Sequence, residues 1–485
     1  MAINAPSRPA SGIDRWFSLS ARGSTYGREI RGGLVTFFTM AYIVVLNPLI
    51  NGTAKDMNGL YVGGTDDVIK AITMVTAATA LIAGLMTILM GAIGRFPMAV
   101  AAGLGLNGFV AFTLAPQMTW ADAMGLVVLE GILILLLVLT GFRSAVFTAV
   151  PEQLKYAIGV GIGLFITIIG LVDSGIVRGG VPLVSFGVFG ELQGWPIFTF
   201  CFGLLLTIVL VVRKVKGAIL IGILATTVLA IIIESIAGVG GKTAENPTGW
   251  GLNVPAVPET IIATPDLGLL GQFSLFGSFE VIGVSASILA IFSLMLSDFF
   301  DTMGTAFGLA TEAELLDEEG NIPHFESILV VDSIAAAAGG IGSVSSNTSY
   351  IESASGIGEG ARTGIASIVT GGLFLIAMFF SPLVTIIPYE AATPALVVVG
   401  FLMMTQIRHI DFNDYSIGIP AFLTIAIMPF TYSITNGIGA GFVSWLVIKI
   451  FTGKAREVNW LMWVISIAYI IYFAIYPIQV VLGLK

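Results

Sequence analysis

Apolar runs of about 17 to 25 residues, set off by glycine, proline or charge, recur along nearly the whole chain, and each could cross about 30 Å of hydrocarbon as a helix. Read this way, the first half predicts spans at 29–50, 68–94, 97–115, 120–141, 151–172, 195–212 and 217–237. The stretch 238–276, rich in Gly, Pro and Asn, is too polar to cross and divides the chain. The second half predicts spans at 279–311, 325–341, 343–360, 363–386, 392–406, 414–432 and 434–451, with an extra apolar segment at 459–482. The expected fold class is an all-α polytopic membrane protein lodged in the lipid bilayer of the cell membrane.

With the N-terminus inside, 16 of the 21 Lys and Arg residues fall on the cytoplasmic side and four (Lys55, Lys70, Arg178, Lys242) fall outside, which sets the orientation. An odd number of spans per half turns the second half upside down, so the 14 transmembrane spans form a 7+7 inverted repeat. A faint internal echo agrees: Thr36-Phe37-Phe38-Thr39 in span 1 corresponds to Asp298-Phe299-Phe300-Asp301 in span 8. Spans 3 and 10 correspond too. Each begins with a small-residue segment (Pro97 to Gly105; Gly342 to Tyr350) that predicts short extended backbone before a helix resumes. Transporters place such broken elements at the midplane and aim free backbone groups at the ligand.

Composition narrows the function. Of 485 residues 56% are hydrophobic and only 11% charged, against about 25% charged in soluble domains. The single cysteine, Cys201, rules out a disulfide framework. His324 and His409 fall in loops, so no metal, no cofactor and no metalloenzyme is expected. The net charge of -9 comes largely from acidic loops such as Glu312 to Glu326 and argues against nucleic acid. Arg8, Arg15 and Arg22 precede span 1 without an apolar core, so no cleavable signal peptide is expected.

A charge at bilayer depth costs at least about 2.5 to 3.5 kcal/mol, which singles out the intramembrane acids. Asp301 lies beside Thr302, Gly304 and Thr305. Glu352 ends Gly342-Ser343-Val344-Ser345-Ser346-Asn347-Thr348-Ser349-Tyr350-Ile351-Glu352, a segment too polar to face lipid. Asp298, three residues before Asp301, is read as a hydrogen-bonding group of the core, since two close ionised carboxylates repel. Glu130 and Asp332 sit beside no helix break and are read as interhelical hydrogen-bond partners.

Gly103-Leu104-Gly105-Leu106-Asn107-Gly108 matches G-x-G-x-x-G, but no strand-helix-strand unit surrounds it, so the glycines are read as backbone leaving helical geometry beside a ligand. Gly238 to Thr243 resembles only the tail of a phosphate loop. Gly159 to Gly163 and Gly437 to Gly441 are G-x-x-x-G spacings, read as close helix packing within the chain or between protomers of a homodimer. With no histidine or cysteine near the two acids, an enzyme is not expected.

The segments Arg31 to Ile43, Asn47-Pro48, Asp298 to Thr305 and Glu352 to Gly356 resemble the AzgA-like purine permeases of the nucleobase-ascorbate and uracil permease superfamily, in order, over about residues 28 to 451. The resemblance implies a core domain of spans 1–4 (28–141) and 8–11 (277–386), and a gate domain of spans 5–7 (151–237) and 12–14 (387–451). The remainder is a cytoplasmic tail (1–27) and an extracytoplasmic loop (238–276), with 459–482 outside the fourteen-span core. It implies uptake of purine nucleobases (adenine, guanine, hypoxanthine) with a proton as coupling ion. By position, Asp301 is the acid that binds the base and Glu352 the span 10 acid. Gly105 and Asn107 form the span 3 ligand segment, and Thr39 faces the base. Thr305 and Ile351 complete the expected substrate-binding set, and Glu352 and Asp301 the proton-coupling pair. Ser346 stands where the uracil-type pattern has proline. A uracil or xanthine symporter, or an anion transporter of the same fold, is the alternative.

Overall fold

The computed structural model describes residues 12–141, 149–180, 183–318 and 321–474. Helices dominate: α1 (Gly12–Phe17), α2 (Tyr26–Met40), α3 (Ile43–Asn51), α4 (Val68–Leu89), α5 (Leu104–Phe109), α6 (Trp120–Leu139), α7 (Glu152–Asp173), α8 (Trp195–Val212) and α9 (Ala218–Ala237) precede the long connection. After it come α10 (Val284–Glu312), α11 (Phe325–Ile341), α12 (Gly364–Ala377), α13 (Tyr389–Met404), α14 (Tyr415–Thr431), α15 (Ile434–Phe451) and α16 (Trp460–Phe473). Among the described residues ten helical stretches are long and apolar enough to cross a membrane, and α14 and α16 are shorter apolar helices. Residues 475–482 of the expected extra segment, like the first eleven of the N-terminal tail, lie outside the described residues.

Local chemistry explains the helix starts. Asp67 accepts from the N–H groups of Ile69 and Lys70 at the head of α4, and Thr119, Thr363, Asp414, Ser433 and Asn459 cap α6, α12, α14, α15 and α16. Each cap satisfies a donor that has no partner inside the helix. Between α2 and α3 the helix breaks at Ala41 and Tyr42, and a proline six residues on, Pro48, removes a donor from α3.

Residues 97–115 do not form one helix. Val100–Ala102 is a strand, β1, which pairs antiparallel with a second strand, β2 (Asn347–Ser349), in the register Val100↔Ser349, Ala101↔Thr348 and Ala102↔Asn347. Gly103 N–H to Ser346 O (2.9 Å) and Tyr350 N–H to Ala99 O (3.0 Å) extend the ladder at both ends. Two isolated strands inside a membrane protein would strand their backbone groups, so each satisfies the other. The chain reaches β2 through Ser343 (φ 54°) and Ser345 (φ 71°), left-handed positions that cost energy for a residue with a Cβ.

The helices pack in two groups. In one, α2 and α4 lie against α12, and α6 lies against α11. In the other, α7 lies against α13 and α14, and α8 pairs with α9 and α13. The G-x-x-x-G glycines act inside the chain: a Cβ on Gly163 would stand 2.6 Å from the carbonyl oxygen of Gly400 in α13, and one on Gly437 would stand 2.7 Å from that of Thr424 in α14.

Candidate substrate-binding site

A cavity of about 920 Å³ opens between the two groups of helices. Its inner wall comes from the broken elements: Gly103 and Gly105 at the β1–α5 junction, Tyr42 at the break between α2 and α3, and Thr348 to Glu352 after β2. Asp301, Gly304 and Thr305 of α10 complete that side. The opposite wall is apolar, with Ile158 and Ile162 of α7 and Val399, Leu402 and Met403 of α13. Flat apolar surface facing a few convergent polar groups is the usual makeup of a small-molecule site.

The two expected acids meet here. Asp301 turns its accessible surface into the cavity, where its Oδ2 accepts from Thr348 Oγ1 at 3.1 Å. Glu352 accepts a hydrogen bond from the Tyr42 hydroxyl. The Tyr350 hydroxyl is spent on the carbonyl of Ala102 at 2.5 Å, tying the broken segment of the second half to that of the first. No ion pair engages Asp301 or Glu352 among the described residues.

Of the other expected residues, Gly105, Thr305 and Ile351 line the cavity, whereas Asn107 and Thr39 do not. Asn107 is fully buried with neither side-chain polar atom hydrogen-bonded, and the Thr39 hydroxyl donates to Val35 O at 2.8 Å within its own helix. Residues not foreseen are Tyr42, Thr348 and, at the mouth, Glu152, Lys155 and Tyr156 of α7 with Gln406 beyond α13. One cation, Lys155, also lines the cavity, in the first turn of α7. A hydroxyl next to a helix break was the available signal for Tyr42.

Behind β2 lies a second set of acids. Glu130 Oε1 accepts from Ser346 Oγ at 3.3 Å and Asp332 Oδ1 from Ser349 Oγ at 2.9 Å, so these two bond to the extended segment around β2 rather than to another helix. Asp298 differs from its expected role: it is fully buried and neither carboxyl oxygen has a hydrogen-bond partner. The acids that act on it are Asp332, Glu130 and Asp301, each of which accepts from a hydroxyl of the segment around β2.

Comparison with known proteins places the chain. The Permease family model matches residues 27–440. The chain is 36% identical to the guanine/hypoxanthine permease PbuG of Bacillus subtilis, over 94% of this chain and 98% of that one. It is 34% identical to the adenine permease AdeQ of Escherichia coli, over 92% of this chain and 93% of that one. The fold is similar to the transmembrane domain of the cyanobacterial bicarbonate transporter BicA, with a TM-score of 0.56, 13% identity and coverage of 88% of this chain and 97% of that one. It is also similar to SLC26A9, with a TM-score of 0.58, 10% identity and coverage of 92% and 67%. At that identity the likeness concerns the fold alone. The matched length, the many apolar helices and the resemblance in the site segments agree that this chain belongs to the Permease family and is a multi-pass membrane transporter rather than an enzyme.

Proposed function

We propose that the chain is a secondary active transporter that takes up purine nucleobases with protons, its fourteen spans forming a 7+7 inverted repeat that works by alternating access. The observation that carries this reading is the pair of carboxylates, Asp301 and Glu352, in one cavity without a paired cation. A purine edge alternates N–H donors and acceptors. A carboxylate accepts from the donors, and the backbone N–H groups where α5 begins complement the acceptors.

The helices that carry the broken elements act as the core domain, and α7–α9 with α13–α15 as the gate. Asp301 holds the base and Glu352 takes the proton. The cavity reaches Glu152 and Gln406, at the α7 and α13 ends placed inside by the charge bias, so this conformation opens toward the cytoplasm. Relatives named as guanine/hypoxanthine and adenine permeases support adenine, guanine or hypoxanthine over uracil or xanthine. An anion would meet two carboxylates, Asp301 and Glu352, and among the described residues that line the cavity a single cation, Lys155.

Uptake of radiolabelled hypoxanthine, competed by a panel of unlabelled bases and by bicarbonate, tests the proposal. Saturable uptake displaced by purines and collapsed by a protonophore is expected. Displacement by uracil or bicarbonate alone would overturn the assignment.

A further inference from the structure

Tyr42 carries more than its place in an apolar span requires. It is 1% exposed, lines the cavity, and donates its hydroxyl to Glu352. It also stands where α2 gives way to α3, so the break in the helix is what delivers a phenol to this carboxylate. A buried hydroxyl must find a partner, yet a backbone carbonyl would have served, as it does for Tyr350.

The surroundings of Glu352 leave Tyr42 as its chief donor. The elements packed against Ile351–Ser353 are α2, α10 and the short helix Ala354–Gly358. From α10 the facing group is Asp301, another acid, and the short helix carries no titratable residue. On α2, Arg31 is paired with Glu359, while Glu29 accepts from Ser24 and from the backbone of Arg362 and Thr363. Tyr350, on the same segment, is committed to Ala102. Glu152 and Lys155 of α7 line the mouth of the cavity.

We propose that Tyr42 is a positioning residue that sets the proton affinity of Glu352, its hydroxyl stabilising the ionised carboxylate so that the proton taken up with substrate is released on the other side. The inference rests on the reading of Glu352 as the proton carrier. The proton comes from cavity water and returns to it, and Tyr42 keeps its own. A hydrogen bond to a charged acceptor favours the charged form, so removing it raises the acid's affinity for a proton.

The test is the pH profile of purine exchange in proteoliposomes for the wild type, Tyr42→Phe, Glu352→Gln and the double variant. Tyr42→Phe is expected to move the midpoint of the Glu352-dependent limb to higher pH by about one to two units. Glu352→Gln is expected to abolish that limb, and adding Tyr42→Phe to it should change nothing further. The midpoint is internal to each variant, so differences in the amount of folded protein cancel, and purine binding to purified protein across the same pH range gives a second readout. A uniformly lower rate with an unmoved midpoint in Tyr42→Phe would overturn this inference alone. Survival of the limb in Glu352→Gln would overturn the proton assignment itself, and the inference with it.

Discussion

Replacing Asp301 by asparagine changes no volume and removes one charge. In the structure Asp301 Oδ2 takes the Thr348 hydroxyl at 3.1 Å, which leaves Oδ1 for a ligand in the cavity. In Asp301→Asn the amide keeps one acceptor. If that oxygen stays with Thr348, the NH₂ turns into the cavity and meets base N–H groups donor to donor. A hydrogen bond to a charged group contributes about 1.5 to 3 kcal/mol, and leaving a buried donor unsatisfied costs about 1 to 3 kcal/mol. The two together come to about 2.5 to 6 kcal/mol, so affinity should fall by at least about 60-fold. Scintillation proximity binding of labelled hypoxanthine to purified protein measures this directly, with a melting curve to show that the variant is folded. A folded variant within threefold of wild-type affinity would refute the assignment of Asp301 to the base.

Glu352→Gln should lower proton-driven accumulation far more than exchange of base for base, because exchange needs no net proton movement; equal loss of both, in proteoliposomes with and without a pH gradient, would count against a proton role. At Gly105 an added Cβ would lie 2.5 Å from Ile162 Cγ2 of α7, a methyl fixed to a stiff β-branched carbon. Gly105→Ala should therefore already press on α7, and Gly105→Leu should jam the face between the two helix groups and slow uptake roughly tenfold, seen in Vmax more than in KM. At Gly131 of α6 the added Cβ would lie 2.7 Å from the Cα of Ala337, in α11, and backbone has less room to move than a methyl. Gly131→Ala should cost about 1 to 3 kcal/mol, and an unchanged thermal midpoint would show that α6 and α11 are not so closely held.

Apolar length announced the helices well where hard punctuation bounds them. The run 195–212 matches α8 because Gly194 precedes it and Arg213 follows, and α11 and α15 likewise match at both ends. The acids of the site were legible for an energetic reason, since a carboxylate inside an apolar run cannot be accidental. Helical phase near a break was not legible. Gly105 faces α7, but Asn107, two residues and about 200° further round α5, turns away into the packed interior. The same loss of phase at Ala41 and Tyr42 brings Tyr42 to the cavity and leaves Thr39 on its own helix. Asp298 did not find the partner expected of it, because which buried donor stands within reach of a carboxylate is a matter of tertiary placement that a linear pattern does not record.

The ladder between β1 and β2 joins residues almost 250 positions apart, Val100 to Ser349, through main-chain atoms alone. Beyond the hydroxyls of Tyr350 and Ser353, which bond to Ala102 and Ala99, the paired strands ask little of their side chains except size. Ancestral drift could therefore rewrite the pharmacology of this carrier, one cavity-facing residue at a time, while the splice between its two halves stayed mechanically intact. A chimera exchanging only Thr348 to Glu352 with a relative of different diet should inherit preference without losing its frame.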